Sequence, residues 1–206
     1  MTRFAAIAAS AALVALIGGG LGYVLVADRG GDRFAQCRES QVAGGDIGGP
    51  FTLVNSRGET VTDEDVITGP TLIYFGYTFC PDVCPLDTAR NAEAVDVLAA
   101  KGYEVTPVFI SIDPKRDTPE VVGAFAANLH ERMIGLTGSP EQVKAASAAY
   151  KTYYQAQGDG SDPYYTVDHS TFTYLVLPEH GFVEFFRRDA TAAALAERTA
   201  CFIDAS

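Results

Sequence analysis

The sequence predicts an α/β domain in which a mixed β-sheet is flanked by helices. Residues 71–77 and 105–112 are continuous β-prone apolar runs, typical of buried strands. A third such run, residues 171–177, passes through a turn into a fourth, residues 182–186. With the helices predicted between them, the order is strand, helix, strand, helix, helix, hairpin, helix, which indicates a mixed sheet with helices packed against it.

Local signals place the helices and one more hairpin. A helix is predicted to begin near Cys84, because Pro85 is favoured in a first turn, where its missing N–H costs nothing. An amphipathic pattern over residues 190–201 predicts the last helix, and alternation within residues 51–61 predicts a short hairpin. Two further helix starts combine a hydroxyl N-cap, a proline and an acid: Thr118-Pro119-Glu120 and Ser139-Pro140-Glu141-Gln142.

The first residues predict a membrane anchor. Residues 4–27 carry no charge, and a helix rising about 1.5 Å per residue over this length can cross a hydrocarbon layer of about 30 Å. Arg3 favours a cytoplasmic N-terminus, so the remainder is expected on the other side. A cleaved signal peptide is the alternative, although the run exceeds the usual signal core. We therefore expect an anchor (residues 1–27), a Gly- and charge-rich tether (residues 28–47) and one domain (residues 48–206).

The charge balance and the cysteine count limit the classes of function. The chain has 15 basic and 26 acidic residues and a net charge of −11, which disfavours nucleic-acid binding. Four cysteines in an exported domain indicate an oxidising compartment. If Cys80 and Cys84 act as a functional pair, Cys37 and Cys201 remain for each other, and we expect a disulfide that closes most of the domain. Two free thiols in frayed termini are the alternative.

Cys80 and Cys84 are the most informative residues of the chain. In a helix, positions i and i+4 share a face, with Cβ atoms roughly 5–6 Å apart. Both sulfurs could then reach one ion at about 2.3 Å, the usual zinc–thiolate distance. The N–H groups of a helix start lower the pKa of a thiol, which favours thiolate. Thiolate both binds metal and attacks disulfides, so the pair alone leaves both roles open.

Three further observations favour a metal. Three residues separate Cys80 from Cys84, whereas thioredoxin-like redox catalysts usually have two. Asp82 and Asp87 are expected to place negative charge near the sulfurs, which suits a bound cation. His169 precedes the third core strand, on the side of the sheet where the first βα turn is predicted. Two thiolates and one imidazole suit Cu(I), an additional oxygen ligand would accommodate Cu(II), and zinc is the competing metal.

Other polar candidates have simpler interpretations. His130 falls within a helix predicted over residues 121–133, and His180 lies at a turn, so neither is expected to bind metal. Asp113 and Asp117 follow a core strand, where sites of α/β proteins gather. Turn and cap chemistry is the favoured interpretation of these two acids, ahead of a contact with copper or a partner.

Four blocks of the sequence resemble the Sco/SenC family. The resemblance covers residues 48–186 and implies a thioredoxin-like fold on a single N-terminal membrane helix. It also implies that Cys80, Cys84 and His169 are copper ligands, with the histidine in the region where thioredoxins have a cis-proline. Cys37 and Cys201 are not part of the family motif. The blocks are Gly48-Gly49-Pro50-Phe51-Thr52-Leu53, Tyr74-Phe75-Gly76-Tyr77-Thr78-Phe79-Cys80-Pro81-Asp82-Val83-Cys84-Pro85, Ser111-Ile112-Asp113-Pro114-Lys115-Arg116-Asp117-Thr118 and Val167-Asp168-His169.

The resemblance implies a copper metallochaperone for the dinuclear copper centre of cytochrome c oxidase subunit II. It would take Cu(I) or Cu(II) from an upstream periplasmic donor. The expected location is the bacterial inner membrane, crossed once, with the C-terminal domain in the periplasm. Two alternatives stay open: a thiol–disulfide reductase that acts on the cysteines of the target, and a redox or copper sensor. Of these three functions, only the thiol–disulfide reductase would be an enzyme.

Overall fold

The computed structural model describes residues 32–38, 47–158 and 162–206. The chain divides into two compact units, Met1–Gln36 and Cys37–Ser206, and all elements described below belong to the second. The predicted anchor (residues 1–27) and most of the predicted tether lie outside the described residues. Within the described ranges, no helix is both long enough and apolar enough to cross a membrane.

Seven strands form one mixed sheet, and two short strands pair separately. In chain order the strands are β1 (Thr52–Asn55), β2 (Thr60–Thr62), β3 (Thr71–Gly76), β4 (Thr106–Ser111), β5 (Ile134–Thr137), β6 (Tyr154–Ala156), β7 (Val167–His169), β8 (Thr173–Leu177) and β9 (Gly181–Phe186). The spatial order of the main sheet is β2-β1-β5-β4-β3-β8-β9. Strands β3, β4 and β5 run parallel, and the remaining pairs of this sheet are antiparallel.

The predicted core strands are present. Every residue of β3 is buried, which agrees with a continuous apolar run at the centre of the sheet. Five of the six residues of β4 are buried as well. The predicted hairpin is β1 and β2, with Thr52 opposite Thr62. The third core strand begins at Thr173 rather than at residue 171, because the preceding residues connect it to β7.

Five helices are described: α1 (Asp63–Val66), α2 (Val83–Ala99), α3 (Pro119–Leu129), α4 (Pro140–Ala149) and α5 (Ala192–Asp204). The predicted caps form. The Thr118 side chain accepts from the N–H of Val121, and Ser139 and Gln142 make a reciprocal capping box. Helix α3 ends at Leu129, four residues before its predicted end, because His130 adopts an extended conformation. Helix α5 packs against α2.

Strand β5 is an element that sequence reasoning missed. It has four residues, and its second residue is Gly135, so neither its length nor its composition is typical of a core strand. The glycine is required by packing: a Cβ atom at this position would lie 2.4 Å from the carbonyl oxygen of Val122 in α3. The small residue therefore lets the helix approach the sheet closely.

A disulfide joins Cys37 to Cys201 in α5, across a sequence separation of 164 residues. This is the pairing expected if Cys80 and Cys84 act as a functional pair, because the other two of the four cysteines then remain for each other. Cys80 and Cys84 are the two free cysteines, and both are buried.

The topology explains where the site lies. Strand β8 is antiparallel to β3, with Thr173 opposite Tyr74, so the chain enters β8 beside the point where it leaves β3. The loop that follows β3 carries Cys80, and the segment that precedes β8 carries His169. These two segments, distant in sequence, therefore meet at one edge of the sheet.

Candidate metal centre

Cys80, Cys84 and His169 converge as predicted. Their ligand atoms all lie within 4.8 Å of one another, and within the described part of the chain they are the group of histidine, cysteine and acidic residues arranged to hold an ion. The Sγ atom of Cys84 lies 3.3 Å from Nε2 of His169. The backbone N–H of Cys84 donates to Sγ of Cys80 over 3.3 Å.

The turn between β3 and α2 positions the two sulfurs. Cys80 precedes the helix, Cys84 is its second residue, and the two side chains are 8 % and 0 % exposed. Gly76 ends β3, and a Cβ atom there would lie 3.0 Å from Sγ of Cys84 and 2.9 Å from the Tyr74 ring. A glycine at the end of the strand thus leaves the space that the buried sulfur occupies.

The two thiols differ in acidity. The hydrogen bond from Cys84 lowers the pKa of Cys80, and His169 and the N–H groups of Asp82 and Cys84 lower it further. The pKa of Cys84 is raised, first by its hydrogen bond to Cys80 and then by burial. The expectation that the helix start lowers the pKa of both thiols therefore holds for Cys80 and is wrong for Cys84. In the absence of metal, these shifts favour thiolate at Cys80 and thiol at Cys84.

The imidazole of His169 turns its Nε2 atom toward the sulfurs. Its Nδ1 lies 2.8 Å from the carbonyl oxygen of Ser170. A carbonyl oxygen only accepts hydrogen bonds, so Nδ1 carries a proton and Nε2 is the nitrogen available to a metal ion. The ring is held edge-on against Tyr74 and Tyr77, with centroid distances of 6.2 Å and 5.9 Å. A backbone acceptor on the other ring nitrogen is the usual arrangement of a metal-binding histidine.

His169 belongs to a small separate hairpin. It is the last residue of β7, which pairs with β6 outside the main sheet, and Tyr154 lies opposite it. The sequence predicted the histidine at the entrance of the third core strand, which begins four residues later at Thr173. The backbone N–H of Val167 donates to the Tyr77 hydroxyl over 3.2 Å, which ties this hairpin to the segment leading to Cys80.

The two acids near the cysteines have different surroundings. Asp82 is exposed at the start of α2, as expected of a group that adds negative charge to the site. Asp87 is 3 % exposed and accepts a hydrogen bond from the Tyr74 hydroxyl. Arg90 and Arg188 lie 3.6 Å and 3.9 Å from its carboxylate, so its charge is largely offset. Burial raises the pKa of Asp87.

The remaining candidates are not ligands in this structure. Asp117 accepts hydrogen bonds from the Thr78 N–H, the Thr78 hydroxyl and the Ser111 hydroxyl, which agrees with the predicted turn chemistry. His130 lies 3.2 Å from a carboxylate oxygen of Asp96, and His180 lies in the turn between β8 and β9. Neither histidine belongs to the metal-binding group.

Three groups that support the site were not identified from the sequence. They are the Ser170 carbonyl, the Tyr77 hydroxyl and the guanidinium of Arg116, which donates to the carbonyls of Pro163 and Tyr165. A backbone carbonyl leaves no trace in the residue type. Arg116, by contrast, lies in the charged block that follows β4, and that position is a usable signal.

The donor set determines which ions fit. Two sulfurs and one imidazole nitrogen form a soft, three-coordinate set without a carboxylate, which suits Cu(I) and zinc rather than magnesium or calcium. One more oxygen ligand would complete a site for Cu(II) or for tetrahedral zinc.

Comparisons with known proteins indicate the family to which this chain is similar. The SCO1/SenC family model matches residues 39–204. Protein SenC of Rhodobacter capsulatus is 53 % identical over 205 residues, which cover 99 % of this chain and 92 % of the relative.

Solved structures of proteins with similar sequences share the fold of this chain. Arabidopsis thaliana ScoI, crystallised with copper bound, is 39 % identical and superposes with a TM-score of 0.71, covering 77 % of this chain and 99 % of the other. BsSco, described as a member of the Sco family of cytochrome c oxidase assembly proteins with a disulfide switch, is 26 % identical with a TM-score of 0.61 and covers 76 % and 93 %. The fold is therefore the thioredoxin-like α/β fold of these proteins.

Proposed function

Because the chain belongs to the SCO1/SenC family, we propose that it binds copper at Cys80, Cys84 and His169 and takes part in cytochrome c oxidase assembly. The observation that carries the proposal is the convergence of two sulfurs and an imidazole nitrogen within 4.8 Å. The copper bound by a relative of 39 % identity supports the choice of metal. Delivery to the dinuclear copper centre of subunit II is the more specific part of the proposal.

The asymmetry of the thiols suits reversible loading. Cys80 is poised as a thiolate and gives the ion an anionic ligand, while Cys84 exchanges its proton for the metal. Two thiolates and an imidazole satisfy Cu(I), and one added oxygen ligand satisfies Cu(II). Oxidation of the pair to a disulfide would remove both sulfur ligands, so the redox state of the pair would control loading.

The surroundings of the site suit transfer to another protein. Phe79 and Leu86 are 52 % and 60 % exposed and lie on the segments that carry the cysteines. Large apolar side chains that are exposed beside a binding site are available to pack against a partner protein. We propose ligand exchange with an upstream copper donor and with subunit II across this surface.

We further propose that the chain is anchored in the bacterial inner membrane through residues 1–27, with its domain in the periplasm. The disulfide between Cys37 and Cys201 supports this location, because structural disulfides persist in oxidising compartments.

Copper binding is tested on the reduced full-length protein by metal analysis. The parent is expected to bind a single copper ion, whereas Cys80→Ser, Cys84→Ser and His169→Ala bind more weakly. His130→Ala is the matched control, because this histidine lies outside the metal-binding group. Copper affinity of His169→Ala equal to that of the parent would contradict the ligand assignment, and binding of zinc alone would contradict the metal.

Delivery is tested separately. Copper-loaded protein is mixed with metal-free subunit II, and the appearance of its dinuclear centre is followed by absorption. A strain that lacks the protein but contains fully copper-loaded oxidase would rule out the delivery role.

A thiol–disulfide reductase remains the second candidate, because a thiolate beside a protonated partner is also the arrangement of a redox dithiol. Copper-free protein that reduces the disulfide of subunit II rapidly, with no effect of His169→Ala, would favour this function.

A further inference from the structure

One turn contacts both halves of the candidate metal centre. Residues 113–117 follow β4, and Asp117 accepts hydrogen bonds from the N–H and the hydroxyl of Thr78, two residues before Cys80. Its neighbour Arg116 contacts the segment that precedes His169. The turn thus lies between the loop that carries the sulfurs and the strand that carries the imidazole.

Arg116 makes several contacts to the histidine side. Its Nη1 donates to the carbonyl oxygens of Pro163 and Tyr165, over 3.2 Å and 2.8 Å. The guanidinium stacks on the Tyr165 ring at 3.6 Å from the centroid. Tyr165 lies two residues before β7, so these contacts fix the chain where it enters the strand that ends at His169.

The same side chain is anchored to the cysteine side of the site. Its Nε donates to Asp113, which also accepts from the Tyr165 hydroxyl. The guanidinium lies 5.0 Å from the Phe79 ring and 5.6 Å from the Tyr77 ring, on the loop that leads to Cys80. The Arg116 side chain is only 11 % exposed, so it is enclosed by these partners.

We propose that Arg116 is a positioning residue that sets the distance between His169 and the two sulfurs. It binds no metal itself. Its planar group bonds two carbonyls of one segment and a carboxylate of another while stacking on an aromatic ring, a combination that lysine cannot reproduce. Without Arg116, the two carbonyls would lose this donor, and the segment would keep the bonds from Val167 to the Tyr77 hydroxyl and from the Tyr165 hydroxyl to Asp113.

This inference rests on the proposed copper site but not on delivery to subunit II. It predicts an unequal effect on the two oxidation states. Cu(I) is satisfied by two thiolates, whereas Cu(II) depends more on a nitrogen ligand. Loss of Arg116 should therefore weaken Cu(II) binding more than Cu(I) binding.

The experiment compares full-length Arg116→Lys and Arg116→Gln with the parent, using competition titrations with each copper ion. Arg116→Lys is expected to weaken Cu(II) binding about tenfold, the lower end of the effect of removing a supporting group. Combined with His169→Ala, it should add no further loss, because Arg116 acts through the histidine. Arg57→Lys is the matched control, since Arg57 is exposed and pairs with Glu59.

Amide hydrogen exchange of the metal-free protein gives an independent measurement. In Arg116→Lys, the amides of β7 should exchange faster, while those of β3 exchange as in the parent. Unchanged Cu(II) affinity, a loss that adds fully to that of His169→Ala, or faster exchange throughout the sheet would overturn the inference. Failure of the parent to bind copper would refute the proposed function, and the exchange measurement would still test the role of Arg116.

Discussion

At the level of single residues, the two cysteines of the site are chemically unequal although only three residues separate them. Cys80 accepts hydrogen bonds from its partner and from backbone N–H groups, whereas Cys84 is fully buried against Gly76 and Tyr74. Position within the turn, rather than residue type, decides which sulfur is the thiolate.

This asymmetry predicts the order of alkylation. In the reduced, metal-free protein, iodoacetamide should modify Cys80 before Cys84. An ordinary thiol, with a pKa near 9.0, loses about tenfold of its thiolate for each unit by which the pH falls below that value. Because the pKa of Cys80 is lowered, its reactivity should persist as the pH falls from 8 to 6.

Peptide mapping by mass spectrometry measures the order. Cys80→Ser is the control, and Cys84 in this variant should react slowly at every pH in this range because it is fully buried. First labelling at Cys84 would contradict the assignment of the thiolate.

At this scale the sequence predicted the ligands but not the groups that support them. The four-residue spacing of Cys80 and Cys84 predicted that the sulfurs are close, although the expected helical geometry was wrong, because Cys80 lies in the loop before the helix and only Cys84 is helical. His169 was placed by topology and by resemblance. The carbonyl of Ser170 bonds the adjacent His169 ring, and its direction depends on the backbone conformation rather than on the residue type. The hydroxyl of Tyr77 acts over a distance between segments far apart in sequence. Such distances follow from tertiary packing and leave no local pattern.

At the level of elements, close contact between α3 and β5 depends on one glycine. Gly135→Ala would place a Cβ atom 2.4 Å from the Val122 carbonyl oxygen and 3.2 Å from Cβ of Ala126. Backbone atoms cannot move aside as a flexible side chain can, so the helix must shift.

We expect Gly135→Ala to lower the free energy of unfolding by about 1–3 kcal/mol, the usual effect of overpacking. Gly69→Ala is the matched control, because a Cβ atom there meets nothing within 4 Å. Urea denaturation followed by circular dichroism measures both. Equal stability of the two variants would show that the contact between α3 and β5 is more adaptable than its geometry indicates.

The elements that the sequence predicted are those with strong local signals. Strands β3 and β4 are long and apolar, and the starts of α3 and α4 carry hydroxyl caps. The elements it missed are helix α1 and strands β5, β6 and β7, which have only three or four residues each. Strands β6 and β7 are also mostly exposed or half-buried. Their pairing is stabilised by tertiary contacts rather than by intrinsic preference.

At the level of the whole molecule, the disulfide ties the start of the second unit to its last helix. Cys37 and Cys201 enclose nearly all of the domain, so the bond restricts the unfolded chain far more than the folded one. Neither residue belongs to the metal-binding group.

Replacing both residues, Cys37→Ser with Cys201→Ser, should lower the free energy of unfolding by about 2–5 kcal/mol. Copper stoichiometry should stay that of the parent, because the ligands lie on other elements. Two measurements on the same samples, both made without reductant, separate the two effects. Denaturation gives the free energy of unfolding, and metal analysis gives the copper stoichiometry. Loss of copper binding at a temperature where the variant is folded would contradict this separation.

The bond between the His169 ring and the Ser170 carbonyl has a consequence for the proton balance of copper uptake. The ring carries a proton on Nδ1, remote from the ion, so uptake leaves that proton in place. Because the pKa of Cys80 is lowered and that of Cys84 is raised, the acidification that accompanies copper uptake should come chiefly from Cys84.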